Sequence, residues 1–390
     1  MMEFTRPQTL TAKYRITTPM FLGGEGQQVD KKQFRNASFK GALRFWWRAL
    51  NWGRLLKAAG GEPTQALEAL HDEEGRLFGL ASDGKDSRQS LVQISSELAS
   101  EESAEKVQLS QVGYLLGQGL YHFRDGVLRG YIAAGKVLVN VQLKPQASVQ
   151  DFHSVRQALI ALGVFGALGS RARKGLGSLS IESISAPGAA EARFTTREAI
   201  RDFIGSIDFS AAPGAPLSAF TANTRIDISA VAKTGLSTLV AINREMQLYR
   251  SYGQKGRVNG GAARRNFVSD HDNVLAATQG QSLKDLPVRA VFGLPHNYFF
   301  SSTKAKLDIN PANEGRRASP LFIHIHALDD NEFVAIQTLL PGEFLPQGMT
   351  IDVKTRRTQL LSNPKVDFQV IERYLDGFGA REHLRTRNRG

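Results

Sequence analysis

The chain has 390 residues and a formal net charge of +12, from 49 Lys and Arg against 37 Asp and Glu. A basic excess of this size speaks to partners, nucleic acid or an anionic surface, rather than to fold. The length predicts two domains, and 42% hydrophobic residues exclude a disordered basic tail. With no cysteine, disulfides, thiolate-bound zinc, iron–sulfur clusters and thiol catalysis are excluded. The first twenty residues lack an apolar signal core and no run reaches the length of a membrane span, so the expectation is a cytoplasmic protein without membrane contact.

In chain order, Thr11–Thr18 alternates and is β-rich, which predicts a strand. A glycine-rich loop, Gly23-Gly-Glu-Gly26, follows. Ser38 is the expected cap of a helix in which Leu43, Trp46, Trp47 and Leu50 share one face. Lys40, Arg44 and Arg48 fall on an adjacent face at steps of four. Glu62–Leu70 reads as a shorter helix, Ser90–Ser95 and Lys136–Leu143 as strands, and Val155–Leu168 as a largely buried helix.

The most informative run comes next. Gly166-Ala-Leu-Gly-Ser-Arg-Ala-Arg-Lys-Gly-Leu-Gly-Ser178 leaves that helix and enters the strand-like Leu179–Ile184. Its glycines permit positive φ and close approach of another backbone. Arg171, Arg173 and Lys174 supply charge for phosphates, and exposed loop N–H groups add a nest of donors. Such density of glycine and charge points to the holding of a polyanion. The order βαββαβ of this half is the ferredoxin-like arrangement.

Ala186–Pro216, rich in Ala, Pro and Gly, reads as a linker containing the domain boundary. The expected class is therefore α+β, with domains at 1–190 and 215–390. In the second half, Asp227–Ile228 begins a β-like piece and Ser237–Tyr252 is helical by periodicity. Ser251–Asn266 predicts a mobile basic loop carrying Lys255, Arg257, Arg264 and Arg265, and the role of 251–285 is left open. Gly315-Arg-Arg-Ala-Ser-Pro320, with Arg316 and Arg317, opens the strand Leu321–Ala327, whose hairpin partner is Phe333–Leu339. A glycine, two arginines and a serine before a strand echo the loop of the first half.

Thr18-Pro-Met-Phe-Leu-Gly-Gly24, Phe39-Lys-Gly-Ala-Leu-Arg-Phe-Trp-Trp-Arg48, Leu77-Phe-Gly79 and the Gly166–Ser178 loop together resemble the RAMP superfamily of CRISPR proteins. The helix motif and the Arg-Arg-Ala-Ser-Pro element are most similar to the first Cmr subunits of type III-B effector complexes. The resemblance implies two tandem ferredoxin-like (RRM-like) domains and no cofactor of the chain's own. It also implies a place among other Cmr subunits near the 3′ part of a guide RNA, where single-stranded target RNA is captured. In such complexes the cleaving carboxylate belongs to a different subunit.

Each signal has a plainer reading beside it. Lys40, Arg44 and Arg48 suit a solvent stripe as well as a phosphate track. Trp46 and Trp47 complete an apolar face and read as core, whereas Phe21 and Phe34, flanking the first glycine loop, are freer to stack on bases. His324 and His326 share a strand face without a third ligand nearby, so no metal is expected. His122 and His153 have no obvious partner for acid–base cleavage of RNA, and Asp30 is the best-placed loop carboxylate for an endoribonuclease. No Walker-type or dinucleotide fingerprint is present. The leading expectation is RNA binding by Lys40, Arg44, Arg48, Arg171, Arg173, Lys174, Arg316 and Arg317. A metal-independent endoribonuclease and a protein-docking adaptor are the alternatives.

Overall fold

The computed structural model describes residues 7–23, 34–81, 87–101, 109–253, 255–312, 315–329, 331–355, 358–362 and 364–386. Asp30, most of the first glycine loop and the end of the basic tail lie outside them.

Strand β1 (Gln8–Ile16) buries Leu10, Ala12, Tyr14 and Ile16 on one face, as a period of two requires. Helix α1 (Asn36–Ala58) packs on α2 (Pro63–Phe78). Ser38 lies inside α1 and Arg35 occupies the N-cap without a side-chain bond, so the helix starts two residues before the expected cap. Next come β2 (Val92–Glu101), a single helical turn α3 (Gly113–Leu116) and the hairpin β3 (Tyr121–His122) and β4 (Gly126–Val127). Then β5 (Ala134–Leu143), α4 (Val149–Phe165), β6 (Leu179–Ser185) and β7 (Ala192–Arg193) complete the first half. Its sheet runs β2-β5-β1-β6-β7, antiparallel throughout. Ser148 and Asp151 form a capping box on α4. Asp151 also takes two bonds from Arg76, at 2.9 and 2.5 Å, which tie α2 to α4.

The stretch read as a linker contains α5 (Arg197–Gly205), capped by Thr196. Ile200, Phe203 and Ile204 from this helix join the largest core. The surrounding Ala, Pro and Gly hide that short amphipathic period in a composition reading.

The second half begins with β8 (Arg225–Ala232) and α6 (Gly235–Arg250), capped by Thr234. The region expected to be a basic loop, Ser251–Asn266, holds a hairpin, β9 (Arg257–Val258) and β10 (Gly261–Ala262), and α7 (Val268–Thr278) follows it. After a 3-10 turn at Val288–Phe292 come β11 (His296–Phe299), β12 (Lys306–Pro311), β13 (Leu321–Ala327) and β14 (Phe333–Leu339). The chain ends with β15 (Ile351–Lys354), β16 (Thr358–Leu361), α8 (Gln369–Asp376) and β17 (Glu382–Arg385). One sheet runs β13-β14-β8-β17 and a second β11-β12-β15-β16. Strands β13, β14, β8 and β17 stand in the same second–third–first–fourth relation as β2, β5, β1 and β6 do in the first half.

Every residue of β13 and β14 is buried. On one face Ile323, Ile325 and Ala335 meet Leu239 and Ile242 of α6. On the other, Phe322, Val334 and Ile336 share a core with Trp46, Leu162 and Phe165. The two halves are therefore pressed together over a continuous apolar face. Trp46 and Trp47 are buried, as their place on the apolar stripe predicts, but so are Phe21 and Phe34. Those two phenylalanines are core residues, unable to serve as open stacking platforms for bases.

Candidate nucleic-acid interface at the seam between the halves

Strand β13 is the edge of its sheet, and an uncovered edge leaves a row of unpaired backbone groups. The first half covers it. Ile323 N–H donates to Arg173 O at 3.2 Å. Ser178 Oγ accepts from Ile325 N–H and Ser180 Oγ from Ala327 N–H, both at 3.0 Å. Thr17 Oγ1 donates to Ile325 O at 2.5 Å. The glycine loop is thus packed against the second half at its C-terminal end. Gly177 has φ +67, and a Cβ there would stand 2.1 Å from Leu168 O. No other residue fits that position.

The loop's cations bond to backbone carbonyls. Arg171, itself at φ 65, donates from Nε to Leu116 O and from Nη2 to Gln118 O, each at 2.9 Å. Arg173 Nη1 donates to Ser319 O at 2.5 Å, and its guanidinium lies over Phe322 at 4.4 Å and Phe45 at 5.4 Å. Burial, and then the neighbouring Arg317, pull the Arg173 pKa down to about 10. Burial and the charges of Arg250 and Arg171 bring Lys174 down to about 7. Arg316 is exposed and close enough to Arg171 to disfavour its charge, after burial. Arg317 donates to Glu343 O at 2.9 Å and stacks on Phe344. Among the described residues, no carboxylate forms an ion pair with Arg171, Arg173, Lys174, Arg316 or Arg317.

The cations of α1 are placed differently. Arg44 Nε and Arg48 Nη1 both donate to Oε1 of the buried Glu74 in α2, each at 2.5 Å. Lys40 donates to Ser90 Oγ at 3.2 Å, and burial followed by Arg44 lowers its pKa. Phe45 and Trp46 turn toward the glycine loop and β13, while Arg44 and Arg48 turn toward α2. The spacing of four found the face correctly but not its partner. Glu74 lies on the buried side of α2, where an unpaired carboxylate would be costly.

Two cations and an imidazole behind the loop escaped sequence reading because they come from three segments. Arg250 ends α6, with its guanidinium over Phe292 at 4.6 Å and Tyr114 at 5.9 Å. Arg289 stacks on Tyr298 at 4.9 Å and donates to Arg250 O at 2.7 Å. The His296 ring stacks on Tyr298 at 4.7 Å, and burial, with the charges of Arg289, Arg250 and Lys174, holds it well below the usual histidine range. No periodicity links these positions, and only the fold brings them to Lys174.

Of the histidines weighed for chemistry, His153 is exposed on α4 with its ring against Phe152, and the others are engaged elsewhere. His122 pairs with Asp125 at 2.6 Å on an exposed hairpin. His324 Nδ1 contacts Gly166 O at 2.6 Å and His326 Nε2 contacts Phe194 O at 2.7 Å, both buried at the seam. Among the described residues no group of three His, Cys, Asp or Glu is arranged to hold a metal ion. No helix among them is long and apolar enough to cross a membrane.

Residues 13–180 match the family model of the RAMP superfamily. A sequence comparison with curated proteins finds no match. Among solved structures, apo Cmr1 from Pyrococcus furiosus aligns with a TM-score of 0.55 at 17% identity, covering 97% of this chain and 99% of that one. A chain from type III-B Cmr-beta bound to cognate target RNA gives 0.51 at 11% identity, over 95% and 98%. One from the same assembly with AMPPnP, in the presence of ssDNA, gives 0.52 at 12%, over 95% and 98%. At these identities the likeness is one of fold, and it runs the length of the chain. The matched residues extend from within β1 to the start of β6 and take in the whole glycine loop, so it is this part of the chain that is similar to the RAMP superfamily.

Proposed function

We propose that the protein is a non-catalytic, RNA-binding subunit of a type III-B Cmr ribonucleoprotein effector, serving antiviral defence. In this reading each half is a ferredoxin-like module, and its partners are the guide RNA, single-stranded target RNA and other Cmr subunits. The chain helps capture target near the 3′ end of the guide. The observation that carries the reading is the line of cations at the seam. Arg171 and Lys174 from the first half and Arg316 from the second gather beside Arg250 and Arg289, with no carboxylate paired to them among the described residues. Such an array attracts a ribose-phosphate strand and positions it without reading its bases. Sequence choice is then left to guide pairing.

The non-catalytic part rests on where the acid–base candidates sit. His324 and His326 are buried against backbone carbonyls, and His122 faces solvent with Asp125. The fold likeness to Cmr1 and to chains of a target-bound Cmr complex supports the assignment. Reconstitution with the remaining Cmr subunits, guide and target, followed by ultraviolet crosslinking, tests it. Crosslinks at peptides spanning 166–178 and 315–320 are expected. A particle that assembles fully without this chain, or discrete cleavage of RNA by the purified chain alone, contradicts it.

A further inference from the structure

Inward of the glycine loop, three cations and an imidazole cluster. His296 lies within electrostatic reach of Arg289, Arg250 and Lys174, and Arg250 within reach of Lys174 and Arg289. Arg289 also donates to Arg250 O at 2.7 Å and shares the Tyr298 ring with His296. All four are half-buried. Arg250 Nε, Arg289 Nε and His296 Nδ1 are enclosed and lack a hydrogen-bond partner among the described residues. Enclosed donors of this kind are normally satisfied, and like charges side by side in a poorly solvated place repel strongly. Asp270, within electrostatic reach of Arg289, accepts the backbone N–H groups of Val288 and Arg289 at 2.9 and 2.8 Å and forms no ion pair with a guanidinium among the described residues.

We propose that Lys174, Arg250, Arg289 and His296 form a pocket for the terminal phosphate of an RNA strand. The pocket itself is independent of the function proposed above; only the owner of the phosphate rests on that reading. A phosphate monoester brings up to two negative charges and three non-bridging oxygens, which answer a cluster of three cations and an imidazole better than a singly charged diester does. The aromatic walls matter as well. Phe292, Tyr114 and Tyr298 hold the two guanidinium planes in place before any ligand arrives, so little ordering is left to do on binding. Neutral His296 is able to donate one ring N–H to the phosphate without adding to the charge repulsion.

The test compares one RNA sequence carrying a 5′-phosphate, a 3′-phosphate or hydroxyls at both ends, titrated against the full-length chain by fluorescence anisotropy. One phosphorylated form is expected to bind roughly tenfold more tightly than the hydroxyl form. Inorganic phosphate should abolish that advantage, and Arg250→Gln or Arg289→Gln should remove it too. Equal binding of all three RNAs by the wild-type chain overturns the proposal, and this comparison does not depend on any variant folding. If no RNA binds, yet inorganic phosphate raises the melting temperature of the wild type and not of the variants, the pocket stands and the RNA reading falls. If RNA binds in a salt-sensitive way but no form gains from its end phosphate, the reverse holds.

Discussion

The guanidinium of Arg173 lies 4.4 Å above the ring of Phe322. That contact fastens the glycine loop of the first half to β13 of the second, while Nη1 of the same group donates to Ser319 O. A planar guanidinium stacks and donates in its plane at once, which an ammonium does not. Arg173→Ala is expected to lower the free energy of unfolding by about 2 kcal/mol, from the lost stacking and the unsatisfied carbonyl. Arg173→Lys recovers less than half of it. Urea denaturation at neutral pH measures both, and an unchanged midpoint in the alanine variant contradicts the clamp.

Glu74 binds Arg44 and Arg48 through one oxygen, so these arginines hold α1 to α2. Glu74→Gln keeps an accepting oxygen but removes the charge that balances both cations, and is expected to cost about 1–3 kcal/mol, less than a fully buried pair because the arginines reach solvent. Arg44→Ala is expected to destabilise by a similar amount and to leave the salt dependence of RNA binding unchanged. A reduced salt slope with undiminished stability means that Arg44 faces phosphate rather than Glu74.

Lys174 makes stability depend on pH in a defined window. Its folded pKa is lowered from 10.5 to about 7, so between those values the unfolded chain holds a proton that the folded chain has released. Stability therefore rises as pH increases from about 7 toward 10, and below 7 the penalty is constant. Lys174→Met should flatten that rise. Affinity for phosphate or RNA should move the other way and weaken above pH 7 as the ammonium loses its charge. Parallel urea midpoints and titrations from pH 6.5 to 9.5 decide it.

The imidazoles of His324 and His326 stand 3.2 Å apart at the seam. Two neutral rings carry two N–H protons for three polar contacts, and burial opposes adding a third. Burial holds His324 well below the usual range and brings His326 to about 4. The unfolded chain protonates first as pH falls, so stability is lost progressively from about pH 6.5 down to about 4. His326→Gln is expected to remove part of that slope. A slope identical to the wild type excludes the pair as its source.

Much of the architecture is visible in the sequence because it follows from apolar periodicity. α4, β6, β13 and β14 are runs whose burial admits one reading. α5 is missed because its amphipathic pattern lasts only nine residues among Ala, Pro and Gly, and its packing against Phe194 and Phe165 makes it a helix of the core. The cation-rich loop is legible as a special feature, but its glycines are not legible in kind. A glycine that admits a ligand and one that admits a neighbouring backbone look the same in sequence. Gly177 proves to be the second kind, closing on Leu168. Arg250 and Arg289 show the converse limit, since their meeting with Lys174 depends on three segments folding together.

The central claim is that the cations at the seam hold the phosphates of an RNA strand. A labelled single-stranded RNA, titrated across a salt series against the wild type and an Arg171→Ala, Lys174→Ala, Arg316→Ala triple variant, tests it most directly. If about six phosphates are neutralised, the wild type should show a log–log slope near −4, and the variant should lose roughly two units of it with a large drop in affinity. A folded triple variant with the wild-type affinity and slope contradicts the account.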